Sequence, residues 1–279
     1  MLLRLLIVVL LPLAGCLAGV RSADPGAPEL VRIDRDAWPA ADTIRWPERS
    51  GETVRVYFSE AALVRDLGLD ATQAGRLSSR SSTLLLGEHD AKLVVLLRDA
   101  SLGIDPVRRF AAEHEAFHLA AQFYGLRVPA TLLEPGDADD AGAVNAFWDE
   151  VVRVSRGQAS CHDARERFMA LGGPDRRHVL ARAFWEWPAE YYARRTVLGD
   201  RPEQDYLALR ARIPSGKEYV AGGLALWALP TDGPQDWRAK VAAGLNPVNA
   251  LLEAGGCGHV PVPRPFGRVS RLPLLGPED

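Results

Sequence analysis

His114-Glu115-Ala116-Phe117-His118 lies inside the best-bounded helical stretch of the chain, and the two features together constrain the fold more than any other. Asp105-Pro106 is a start signal, a capping side chain followed by a proline suited to the first helical position. Gly125 is the matching stop. The spacing predicts a helix over Pro106–Tyr124. Histidines four apart on a helix share one face, separated by about 6 Å of rise, so both imidazoles can turn to one ion. Glu115 sits beside that face, where it can take a proton from a water without ligating the ion. Zinc in such a site lowers the pKa of its water towards about 7. With the His and Glu content of this chain, the pattern arises by chance in about 0.007 chains.

Catalytic zinc needs a third protein ligand and one open position. His89, His162, His178 and His259 are the remaining histidines. None completes the short H-E-x-x-H-x-x-G-x-x-H spacing of a three-histidine set, because Ala121 and Tyr124 stand where its glycine and third histidine belong. An acidic candidate lies in Phe184-Trp185-Glu186-Trp187-Pro188-Ala189-Glu190-Tyr191-Tyr192-Ala193. This segment resembles the E-x-x-x-D element, in its E-x-x-A-D form, of the gluzincin clan of zinc metallopeptidases. The resemblance implies Glu186 as the third zinc ligand and Glu190 as the residue that hydrogen-bonds a ligating histidine. It also implies a zincin-like fold, peptide or protein substrates, and Zn2+ as the cofactor. The segment departs from the pattern twice: position 190 is Glu rather than Asp, and Pro188 removes a helical N–H. The helix either restarts near Trp187 or is kinked there, and Glu190 as the ligand with Glu186 nearby is the alternative. Tyr191, Tyr192, Tyr219, His162 and His178 could aim a donor at a developing oxyanion; Tyr192 and Tyr219 are the candidates carried forward.

The N-terminus reads as an address. Met1-Leu-Leu-Arg4 precedes an apolar run to Leu11, then Pro12 and Leu13-Ala14-Gly15-Cys16. That order of basic start, short apolar stretch and small residues describes a secretory signal. The run is far below the roughly 20 residues that span a bilayer. Leu-Ala-Gly-Cys resembles a bacterial lipobox, which implies cleavage after residue 15 and lipidation of Cys16. Leu17 is not the Asp that such lipoproteins use for inner-membrane retention, so in a Gram-negative cell the expected place is the periplasmic face of the outer membrane. Residues 16–28 read as a tether. An exported chain meets an oxidising compartment, so Cys161 and Cys257 are a candidate disulfide.

Strands are expected at Thr53–Phe58, Ser82–Leu86 and Lys92–Leu97, with Gly87–Asp90 as a hairpin connection and Glu60–Leu67 as a short helix. Helices follow at 143–156, 160–171, 175–198, 206–212, 217–229, 236–243 and 247–253. The expected class is therefore α+β: a small, mostly antiparallel sheet on a predominantly helical body spanning 29–259, with a Pro-rich tail at 260–279. Lys and Arg number 33 against 36 Asp and Glu, a net charge of −3 that argues against nucleic acid as a partner. Asp137 to Asp140 is not a calcium loop, because Trp148 stands where the bidentate glutamate belongs. Gly222-Gly223 opens no nucleotide-binding pattern. The expected activity is that of a membrane-tethered zinc peptidase. The competing expectation is a non-catalytic envelope lipoprotein, binding a partner or aiding assembly, that retains a structural or vestigial core of this kind.

Overall fold

Strand β4 (Lys92–Leu97) is apolar at every position from Leu93 to Leu97 because both of its faces are covered. Leu93, Val95 and Leu97 face the main core, while Val94 and Leu96 join Tyr57, Leu63 and Leu67 in a smaller one. This is the period-two alternation of a strand buried on both sides. Strand β2 (Thr53–Tyr57) repeats it, with Val54 and Val56 towards the main core and Tyr57 away from it. The computed structural model describes residues 27–34, 36–38, 53–78, 83–89, 92–97, 105–123, 136–213, 215–232 and 236–262. The signal-like segment, Cys16, the tether up to residue 26 and the tail from residue 263 lie outside the described residues.

Four strands form the sheet in the order β1-β2-β4-β3, with β1 at Glu29–Arg32 and β3 at Thr83–His89. The β1–β2 and β3–β4 pairs are antiparallel, and β2–β4 is parallel. Helices α1 (Glu60–Leu67) and α2 (Ala71–Ser78) follow β2 in the crossover to the second pair. Helix α1 is capped by the Ser59 hydroxyl and ends on Gly68 at φ 63°, a left-handed position suited to glycine. Two elements escaped the sequence reading, β1 and α2. Gly87 was expected in the hairpin connection; it lies instead within β3, at a register shift opposite Val94. A glycine inside a strand marks a bulge as readily as a turn, and the remainder of the expected connection, Asp90, lies outside the described residues.

The helical body begins with α3 (Val107–Phe117), which packs on β1 and β2. Its predicted N-cap needs correction: Pro106 occupies that position, and no side chain caps the helix. The expected continuous helix also changes character at the second histidine, running as a π-helix over His118–Phe123. The predicted helices beyond residue 140 are all present, with ends displaced by a few residues. They are α4 (Ala141–Ser155), α5 (Cys161–Ala170), α6 (Gly173–Leu198), α7 (Glu203–Arg210), α8 (Lys217–Ala225), α9 (Trp237–Ala242) and α10 (Pro247–Ala254). Helix α6 is the axis of the body and is buried without interruption from Ala183 to Arg194. A helix packed on every side has no polar stripe to show, and α3, α4, α7, α8 and α10 all contact it. Pro188 lies inside this single helix; the helix does not restart at Trp187. Among the described residues, no helix is long and apolar enough to cross a membrane.

Candidate metal centre

Helix α3 and the π-helical turn that continues it deliver His114 and His118 to the buried surface of α6. His114 and His118 are 5% and 7% exposed, and Glu186 of α6 is 6% exposed. His114 Nε2 lies 3.0 Å from His118 Nε2 and 3.2 Å from Glu186 Oε2, and His118 Nε2 lies 3.4 Å from the same oxygen. Three atoms each about 2.0–2.1 Å from a tetrahedral zinc stand about 3.3 Å from one another. The triangle therefore has the dimensions of one face of such a coordination sphere. A carboxylate oxygen of Glu115 comes within 4.8 Å of a ring nitrogen of each histidine.

The two acidic residues of α6 take different sides of His114. Glu186 Oε2 shares the space between the Nε2 atoms, whereas Glu190 Oε2 is 3.2 Å from Nδ1 on the far side of the ring. The Glu190 contact lies off the ideal hydrogen-bond direction. Glu190 is itself fully buried and held by α7: Tyr206 donates its hydroxyl hydrogen to Oε1 at 2.8 Å, and the Arg210 guanidinium is 3.2 Å away. Burial and the adjacent Glu190 charge push the Tyr206 phenol well up, so it stays protonated as a donor.

Arg182, one helical turn before Glu186, anchors the other carboxylate oxygen at 2.9 Å. Its second nitrogen reaches Glu218 and donates to the Tyr219 hydroxyl at 3.2 Å. Burial alone would raise the Glu186 carboxyl, but the adjacent His114 and His118 imidazoles and the Arg182 charge hold it well below the usual carboxylate range. Burial would likewise push His114 down, yet its contacts with Glu186 and Glu190 carry it up to about 9. The cluster thus attracts positive charge, from a proton or from a metal. Two imidazole nitrogens and one carboxylate oxygen at these spacings are a donor set that fits zinc.

Tyr219 belongs to this site. Its ring centroid is 5.6 Å from that of His114, and burial followed by the Glu186 charge raises its phenol, leaving the hydroxyl protonated. Tyr192 does not belong to it, which corrects the expectation. Its hydroxyl accepts from the Asp34 amide at 2.9 Å and donates to the Arg32 carbonyl at 3.4 Å, tying α6 to the end of β1. Position 192 therefore serves the fold. His178 Nδ1 bonds the Gly136 carbonyl at an exposed position, and His162 stands beside Cys257. Cys161 and Cys257 form a disulfide, so neither is a thiolate for a metal or a nucleophilic reaction. Gln122, Arg182, Tyr206, Arg210 and Glu218 were missed by sequence reading. Arg182 and Gln122 stand four residues from Glu186 and His118, a spacing that could have drawn attention to them; the other three reach the site only through the tertiary fold.

No protein-family model, curated protein or solved structure gives a significant match to this chain.

Proposed function

We propose that the chain is a zinc-dependent hydrolase of the gluzincin type, cleaving peptide bonds, carried on a zincin-like fold. The observation that supports this best is the triangle of His114 Nε2, His118 Nε2 and Glu186 Oε2, with edges of 3.0, 3.2 and 3.4 Å. Zinc held by these three atoms would polarise the scissile carbonyl and acidify a water at its open position. Glu115 takes the proton of the attacking water and passes it to the leaving amine. Arg182 fixes the rotamer of Glu186 by binding the oxygen that does not face the histidines. Glu190 keeps a proton on His114 Nδ1, so that Nε2 presents its lone pair. The Tyr219 hydroxyl, on a ring whose centroid is 5.6 Å from that of His114, is the donor for a developing oxyanion. The same reading places the domain outside the cytoplasm on a lipid at Cys16, in a bacterial envelope and facing the periplasm if the cell is Gram-negative.

Metal analysis of the purified protein, paired with Glu115→Gln, tests the proposal. The wild type should carry about one zinc per chain and cleave an unstructured protein substrate such as casein. E115Q should keep the metal and lose at least about 100-fold in turnover, the usual size of a general-base contribution. Zinc retained without any hydrolysis in the wild type would favour the non-catalytic lipoprotein. Protein that neither carries nor takes up zinc would overturn the ligand assignment.

A further inference from the structure

Pro188 is the least expected residue in α6, and Gln122 is the only fully buried amide side chain of the π-helical turn. The two meet through the backbone. A proline has no N–H, so the carbonyl four residues before it loses its helical donor. For Pro188 that carbonyl is Phe184 O. Gln122 Nε2 donates to Phe184 O at 2.8 Å and to the neighbouring Trp185 O at 2.7 Å, one amide hydrogen for each. Both acceptors are carbonyls, so this end of the amide must be the NH2 group, and Oε1 must face the other way. It faces His118 Nδ1 at 2.5 Å. An amide oxygen only accepts, so His118 must carry its hydrogen on Nδ1. Its Nε2 lone pair is then directed at His114 Nε2 and Glu186 Oε2.

We propose that Gln122 is the positioning residue for His118 and that Pro188 makes it one, by freeing the Phe184 carbonyl to which the Gln122 amide is anchored. The proposal rests on the metal reading given above and deepens it: each ligating imidazole would have its own buried partner on Nδ1, Glu190 for His114 and Gln122 for His118. It also couples the two ligand-bearing helices directly. The amide that sets the tautomer on the α3 side is held by the backbone of α6, two residues from Glu186. The wider π-helical turn belongs to the same arrangement, since it begins at His118 and carries Gln122.

The test uses the full chain with Gln122→Met, Pro188→Ala and the double variant, and reads two quantities. The first is the His118 tautomer in metal-free protein, from nitrogen-15 chemical shifts of the imidazoles. The second is zinc affinity by competition with a chromophoric chelator. In the wild type His118 should be the Nδ1–H tautomer. Q122M should make the tautomers mixed and weaken zinc by about 10–100-fold, the range for loss of such a partner. P188A touches no ligand, yet its restored amide competes for the Phe184 carbonyl; it should shift the tautomer in the same direction and add little in the double variant. Unchanged tautomer and affinity in folded Q122M would overturn the proposal, as would P188A with wild-type values. If Q122M does not fold, P188A alone decides. A wild type with no zinc affinity would sink the metal reading, while the metal-free tautomers would still decide whether Gln122 orients His118.

Discussion

Glu113 and Glu186 are both buried carboxylates one side chain away from the histidines, and their surroundings drive them in opposite directions. Glu186 has a guanidinium and two imidazoles within 3.4 Å. Glu113 is 4% exposed, and its cation, Arg109, stands 3.4 Å away with a largely solvated side chain. Burial therefore outweighs the Arg109 charge and raises the Glu113 carboxyl to about 7 from 4.5. The folded state holds a proton that the unfolded chain releases between those values. The stability this group contributes is fully present below about pH 4.5 and is lost as pH rises through about 7, a loss of up to about 3 kcal/mol. Glu113→Gln mimics the neutral carboxyl and removes the loss. In guanidinium titrations E113Q and wild type should be equally stable near pH 4.5, and the variant should be more stable by about 1–3 kcal/mol at pH 8. An offset of the same size at both pH values would mean that packing, not ionisation, sets the difference.

At the level of elements, the site depends on how closely α8 lies against α6. Gly222 and Gly223 make that approach possible. A Cβ on Gly222 would stand 2.8 Å from the Trp187 Cα, and one on Gly223 would stand 2.1 Å from the Tyr206 hydroxyl and 3.1 Å from Glu190 Cγ. Tyr219, one turn earlier on α8, meets His114 only because of this contact. Gly222→Ala should push α8 outward and cost about 1–3 kcal/mol of stability through overpacking. Gly223→Ala should displace the Tyr206 hydroxyl from Glu190 and weaken zinc binding as well. Gly258→Ala, which meets open space, is the control and should leave both melting temperature and zinc affinity unchanged. If G223A kept wild-type zinc affinity, the α7 contact with Glu190 would be dispensable.

The glycine pair illustrates what could and could not be read from the chain alone. The two histidines, Glu115 and the boundaries of α6 were legible because helical spacing and stop signals are local properties. Strand β4 was legible because both faces are buried, which leaves an unbroken apolar run, and β2 because Val54 and Val56 alternate with Thr53 and Arg55. Strand β1 was not, since Val31 is its one buried residue and Leu30 and Arg32 face out. The roles of Tyr192, Gly222 and Gly223 depend on partners contributed by other elements, to which periodicity is blind. Pro188 registered as a departure from the expected motif because its effect falls on Gln122, far away in sequence.

Across the whole molecule, the Cys161–Cys257 bridge closes a stretch with a sequence separation of 96 that contains α6, α7 and α8. Glu186, Glu190 and Tyr219 thus lie inside the covalent loop and the two histidines outside it. Closing a loop near 100 residues restricts the unfolded chain enough to add about 4–5 kcal/mol in the chain-entropy account. Cys161→Ser with Cys257→Ser should accordingly cost about 2–5 kcal/mol, and a reductant should lower the melting temperature of the wild type but not of that variant. Such a bridge persists chiefly where the compartment is oxidising, which is where the proposed leader would deliver the chain. Three forms expressed in a bacterial host separate these claims: the full chain, Cys16→Ser, and a chain lacking residues 2–15. The full chain should incorporate labelled palmitate and show no free thiol at Cys161 or Cys257. C16S should lose the label and keep the bridge, because lipidation acts on the tether and not on the fold. The chain without its leader should stay in the reducing cytoplasm with both thiols free and no label. Free thiols in the full chain would overturn the export reading, and a bridged but unlabelled full chain would overturn the lipid anchor alone.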